Sequence, residues 1–174
     1  MAPDPSNGAG ENYVLEVGQS ETQGLELDIR GRITKNFNLV ANYALTNSEI
    51  TKATTGFAEG SKIAGYAKHN ANAWLTYSIL SGDLRGLGLS TGLSYQADRT
   101  TWNWDAGQGK DPLPNYFRLD AGAFWTVGKM KFNANVYNVL NKYLYSGSYY
   151  GYGQYYYWQT EAPRNYRLSV AYKF

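Results

Sequence analysis

Apolar side chains fall on every second residue in seven separate stretches of this chain, and no other feature limits its fold as strongly. Successive side chains of a strand point to opposite faces of a sheet, so a period of two signals strands with one apolar and one polar face. The first stretch sets Leu25, Leu27, Ile29 and Ile33 between Glu26, Asp28, Arg30 and Arg32. Tyr13, Leu15 and Val17 keep the same parity, which predicts one long strand from about Glu11 to Thr34. Phe37, Leu39, Ala41, Tyr43 and Leu45 then alternate with Asn36, Asn38, Asn42 and Thr46. The same pattern returns over Ala71–Ile79, Leu87–Tyr95, Phe117–Val127, Met130–Val136 and Tyr166–Phe174. No window carries a helical period, and no apolar run approaches the roughly 20 residues of a membrane helix. The predicted class is all-β and antiparallel.

The connections alternate as well. Short ones fall at Thr34–Asn36, Ser81–Arg85 and Gly128–Lys129, and long ones at Glu49–Tyr66, Arg99–Leu113 and Tyr145–Arg164. Short periplasmic turns opposite long extracellular loops are the habit of outer-membrane barrels. Phe37, Tyr43, Tyr77, Tyr95, Phe117, Trp125, Tyr166, Tyr172 and Phe174 lie on the apolar face near strand ends, where interfacial aromatic girdles belong. The opposite face holds Asn, Ser, Thr and Gly with charges such as Arg118 and Asp120, and reads as a wet lumen wall. This two-faced pattern reconciles a composition with 17 Tyr, 19 Gly and only 17% charged residues, against about 25% in soluble domains. A soluble β-sandwich alternates too, but its strands usually run to only about 5–6 residues. A net charge of +2 gives no footprint for nucleic acid, and the absence of Cys removes disulfides and thiolate metal sites.

Several motifs occur in order along the chain. They are Val17-Gly18-Gln19-Ser20-Glu21-Thr22-Gln23-Gly24-Leu25-Glu26-Leu27, Asn38-Leu39-Val40-Ala41-Asn42-Tyr43-Ala44-Leu45-Thr46 and Ala67-Lys68-His69-Asn70. Then come Leu113-Pro114-Asn115-Tyr116-Phe117-Arg118-Leu119-Asp120-Ala121, Asn135-Val136-Tyr137-Asn138-Val139-Leu140-Asn141-Lys142-Tyr143 and Ala162-Pro163-Arg164 ahead of the terminal strand. Their order and spacing resemble the C-terminal barrel of TonB-dependent outer-membrane receptors, the ferric-siderophore receptors in particular. Three positions depart from the family pattern: Ala67 replaces Pro before His69, Val139 interrupts Asn-Leu, and Glu161 replaces Gly before Ala-Pro-Arg.

The resemblance implies a transmembrane β-barrel segment of about seven long strands, residues 1–174 forming part of a barrel that has about 22 strands when whole. It implies a transport receptor without enzymatic chemistry or cofactor, in the outer membrane of a Gram-negative bacterium. The expected partners are a ferric siderophore, outer-membrane lipid and the barrel-assembly machinery. An energy-coupling protein would be reached only through a plug domain, which is expected to be absent from this chain, so the chain alone is not expected to transport. Tyr166, Leu168, Val170, Tyr172 and Phe174 match the ending read by the assembly machinery. Strand edges also leave self-association open.

Two aromatic groups in the long loops are candidates for ligand contact: Trp102 with Trp104, and Tyr149, Tyr150, Tyr152, Tyr155, Tyr156, Tyr157 and Trp158. Tyr and Trp offer rigid, amphipathic contact area at low entropic cost. The Tyr-rich run also reads as a structural extension of the strands above the membrane, packed on its neighbours, and could supply an eighth strand. His69, the single histidine, reads as a polar residue at the head of a strand, since no second His or Cys joins it as a metal ligand. Arg118 and Asp120 read as a salt bridge in the wall. A small standalone or self-assembling β-barrel with a structural or adhesive role is the alternative to a receptor.

Overall fold

A computed structural model describes residues 2–3, 14–15, 18–53, 58–101, 113–150 and 155–174. Its strands are β1 (Ala2–Pro3), β2 (Val14–Leu15), β3 (Gln19–Arg32), β4 (Phe37–Lys52), β5 (Ala67–Ser78) and β6 (Leu87–Arg99). They continue as β7 (Tyr116–Val127), β8 (Met130–Tyr137), β9 (Tyr145–Tyr150), β10 (Tyr156–Thr160) and β11 (Asn165–Tyr172). Seven of these form one antiparallel sheet in the order β11-β8-β7-β6-β5-β4-β3, matching the seven alternating stretches. No helix among the described residues is long and apolar enough to cross a membrane.

Register confirms the two faces. One row runs Tyr43–Ala71–Tyr95–Phe117 across β4 to β7, and another runs Asn42–Asn72–Ser94–Arg118 on the opposite face. Apolar residues of the first face lie open, Leu25 at 64% and Leu168 at 81% exposure. A soluble protein would bury them; open apolar rows of this kind match the side expected to meet lipid in a barrel wall. Among the described residues hardly any apolar core exists, because the seven strands form a single layer. The buried residues, among them Leu113, Tyr116, Leu144, Arg99 and Asn138, gather instead at the end of the sheet that carries the long loops.

The turns follow local chemistry. Thr34 Oγ accepts the N–H of Asn36 at 3.2 Å and of Phe37 at 3.1 Å, closing the β3–β4 turn. The two-residue β7–β8 turn needs a left-handed residue, supplied by Gly128 at φ 56°.

Two boundaries differ from expectation. The first wall strand starts at Gln19, not near Glu11, and Val14–Leu15 pairs instead with Ala2–Pro3. Its partner β4 runs on past Thr46 to Lys52, which pairs with Gln19 across a register shift between Gln19 and Ser20. The stretch Tyr145–Arg164 is not a plain loop. It contains β9 and β10, which pair with each other as a separate two-stranded sheet and add no eighth strand to the wall.

Candidate ligand-binding mouth

At the loop end of the polar face, Thr46 of β4, Asn70 of β5 and Gln96 of β6 project from alternate positions into a polar cavity of about 360 Å³. Tyr66, Arg99 and Ser146 close it from the loops and strand ends. The Tyr66 hydroxyl is buried and has no hydrogen-bond partner among the described residues, while the Asn70 amide donates to the Ala67 carbonyl at 3.0 Å.

Arg99 is the structural centre of this end. Parity places it in the lipid-facing row of Tyr95 and Ala97. Asp98, however, holds φ 52° and breaks the extended backbone immediately before it. The Arg99 guanidinium lies 5.6 Å from the ring centroid of inward-facing Tyr116. It donates to the carbonyls of Pro114 at 3.2 Å, Tyr145 at 2.8 Å and Ser146 at 3.0 Å. Arg99 is only 5% exposed, and three carbonyl dipoles stand in for the water it has lost.

A second cluster lies beside it. The Tyr116 hydroxyl donates to Glu161 Oε2 at 2.8 Å, and Arg118 Nη1 donates to the same oxygen at 3.2 Å. Arg118 also pairs with Asp120 at 3.1 Å, the wall salt bridge expected from their spacing. Asp120 in turn accepts the backbone N–H of Asn138 at 2.9 Å. Asn138, at φ 52°, ties its side chain to both the carbonyl and the N–H of Lys142, at 2.9 and 3.1 Å. Asn141, at φ 50°, accepts the N–H of Arg164 at 3.0 Å. The two asparagines of the Tyr137–Lys142 motif thus build the knot at which β8 leaves the wall. Asn tolerates the left-handed region and bonds its own backbone, which suits it to this place.

The predicted site residues are distributed unevenly. Trp102, Trp104 and Tyr152 lie outside the described residues. Tyr149 and Tyr150 lie on β9 and Tyr156 on β10. Tyr155, Tyr157 and Trp158 are exposed, and the Trp158 ring lies 5.1 Å from Tyr145 across the hairpin. Tyr166, Leu168, Val170 and Tyr172 share the exposed apolar face of β11, and Phe174 meets Tyr172 edge-on at 5.2 Å. His69 lies on the lipid-facing side at the strand head, with Nδ1 2.8 Å from the Tyr43 hydroxyl, a polar role as expected. Glu26, Asp28, Arg30 and Arg32 stand exposed on β3 and form no ion pair among the described residues. On the polar face, Trp74 lies flat over Gly92 and Phe124 over Gly88, where any Cβ would strike the ring.

Arg99, Tyr116 and Glu161 were not singled out from sequence as site residues. Alternation assigns a face to each residue within a strand, but it has no signal for a side chain turned by a left-handed residue or for a pairing 45 positions apart.

A family model described as TonB dependent receptor-like, beta-barrel matches residues 2–139. The chain belongs to the TonB-dependent receptor β-barrel family. Among relatives, the probable TonB-dependent receptor BfrD of Bordetella pertussis is 30% identical over 147 residues, covering 80% of this chain and 19% of that one. The crystal structure of the siderophore receptor PiuA from Acinetobacter baumannii superposes with a TM-score of 0.72 at 25% identity, over 90% of this chain and 22% of that chain. BauA, the ferric preacinetobactin receptor of the same species, superposes with a TM-score of 0.74 at 22% identity, over 99% and 25% respectively, a likeness of fold. This TonB-dependent receptor barrel chain thus spans about a fifth to a quarter of the proteins it resembles. The family comprises transport receptors of the Gram-negative outer membrane, not enzymes.

Proposed function

We propose that this chain forms a wall sector of a Gram-negative outer-membrane receptor that captures ferric siderophores at its outer mouth. The observation that carries the reading is the polar cavity among Thr46, Asn70 and Gln96, at the loop end of the polar face and lined on one side by Ser146 of the aromatic hairpin. Siderophores present amide, hydroxyl and chelating oxygens around a compact metal centre. Neutral side-chain amides and a hydroxyl suit the polar rim of such a ligand, and Tyr and Trp suit its organic body. The sector's outer face contacts outer-membrane lipid, and its terminal strand, ending in Phe174, serves as the signal for the assembly machinery. Energy coupling enters through a separate plug domain, so the sector alone does not transport.

The test uses the receptor that carries this sector. Asn70→Leu with Gln96→Leu, and separately Trp102→Ala with Trp104→Ala, are measured for uptake of radiolabelled iron from hydroxamate and catecholate chelates. The expected result is uptake reduced about tenfold, equivalent to about 1.4 kcal/mol of lost recognition, at unchanged surface abundance. Wild-type uptake in both variants would overturn the reading. Purified chain in liposomes should give no siderophore-specific flux.

A further inference from the structure

The β9–β10 hairpin shares no strand pairing with the wall among the described residues, yet its first leg lines the cavity through Ser146. Its two legs are joined to each other by the Glu161 N–H, which donates to the Leu144 carbonyl at 2.9 Å. That bond closes the base of the hairpin without attaching it to the sheet. Its attachments include two arginines of neighbouring wall strands, beside the Asn138 amide, which donates to the Ala162 carbonyl at 3.5 Å. Arg99, at the end of β6, grips the first leg through the carbonyls of Tyr145 and Ser146. Arg118, on β7, grips the second leg through the Glu161 carboxylate. Tyr116 stands between the two, its face under Arg99 and its hydroxyl on Glu161.

The geometry points to a two-arginine mount with one fixed leg and one releasable leg, in which Arg99 and Glu161 are positioning residues for the aromatic hairpin beside the mouth. The two legs differ in chemistry. Arg99 is buried and its donors meet uncharged carbonyls, so salt has little access to that contact. The side chains of Arg118 and Glu161 are 32% and 28% exposed, so water and ions reach their pair. Arg118 keeps Asp120 when Glu161 departs, so release leaves no stranded charge behind. Ser146 lines the cavity while its own carbonyl is held by Arg99, which makes the fixed leg part of the cavity wall. The first leg therefore stays on Arg99, and the ion pair to Glu161 sets how tightly the second leg is held.

The consequence for capture rests on the receptor reading above; the mount itself does not. Hydrogen exchange read by mass spectrometry on the full chain folded in detergent micelles tests it without ligand. Peptides covering residues 145–160 report the hairpin, and peptides covering residues 117–127 report the wall. In the unaltered chain, raising NaCl from about 0.01 M to about 1 M, which shortens the screening length from about 30 Å to about 3 Å, should speed hairpin exchange several-fold and leave the wall unchanged. Glu161→Gln should exchange fast at both salt concentrations, with the salt response gone. Arg99→Lys, which cannot span three carbonyls, should speed hairpin exchange at both salts while keeping the salt response through Glu161. Wall peptides in the same sample verify folding, and Glu161→Gln decides the matter should Arg99→Lys fail to fold. A Glu161→Gln chain that keeps the unaltered salt response, or a hairpin indifferent to the substitutions, would overturn the mount. In the receptor, Glu161→Gln should raise the half-saturating concentration of a ferric trihydroxamate several-fold at constant maximal uptake. If the unaltered receptor takes up no ferric chelate, the receptor reading falls and the exchange result still judges the mount.

Discussion

Replacing Asp120 with Ala removes the acceptor of two donors at once, the Asn138 N–H at 2.9 Å and the Arg118 guanidinium at 3.1 Å. Asp120 is 6% exposed and Asn138 is fully buried, so water is poorly placed to take over the orphaned N–H. An unsatisfied buried donor costs about 1–3 kcal/mol. Arg118 is partly exposed and retains Glu161, so the lost ion pair is discounted to about 1 kcal/mol. The sum predicts a loss of about 2–4 kcal/mol for Asp120→Ala. Asp120→Asn keeps an oxygen for the Asn138 N–H and loses only the charge, so its cost should stay near 1 kcal/mol. Urea unfolding of the micelle-bound chain, followed by heat-modifiable gel mobility and by fluorescence, measures both. Because the difference between the variants isolates the bond to Asn138, equal losses within about 0.5 kcal/mol would refute the knot as the element that holds this end of β8.

Two further substitutions probe the faces of the wall. Leu93→Lys places a charge in the middle of the lipid-facing row between Ala73 and Leu119 and should cost about 2–4 kcal/mol in lipid vesicles, whereas Ser94→Lys on the polar face should cost far less. Equal costs would argue against a membrane wall. Gly92→Val drives a side chain into the space of the Trp74 ring and should cost about 1–3 kcal/mol with a changed near-ultraviolet circular dichroism signal. Gly31→Ala, where nothing lies within 4 Å, serves as the control and should stay within about 0.5 kcal/mol.

Much of this architecture is legible in the order of residues. Seven strands, their antiparallel pairing through short turns, the face each side chain takes and the place of the girdle aromatics all follow from a period of two. That period is a local property, and the cost of putting Leu or Phe on the wrong face of a wall is large enough to make it reliable. The Arg118–Asp120 bridge was legible for the same reason, since residues two apart on a strand are neighbours on one face. The start of β3 at Gln19 is not legible, because the pairing of Gln19 with Lys52 joins residues far apart in sequence and alternation carries no signal for it. Nor was the folding of residues 145–160 into a hairpin of their own, since a Tyr-rich run suits a strand equally well with any partner.

The mouth divides along the same line. Residue order alone placed amide and hydroxyl side chains on the lumen face and aromatics in the loops above it. Tertiary structure decided that Thr46, Asn70 and Gln96 share one cavity, that Arg99 turns inward against its parity, and that Glu161 meets Arg118 and Tyr116. Those contacts join strands and loops separated by tens of residues, and the turn of Arg99 follows backbone that leaves the strand pattern at Asp98. Alternation is dictated by geometry within one strand; the convergence of loops over a barrel mouth is dictated by which buried charges and carbonyls must satisfy one another, and only the assembled wall brings them within reach.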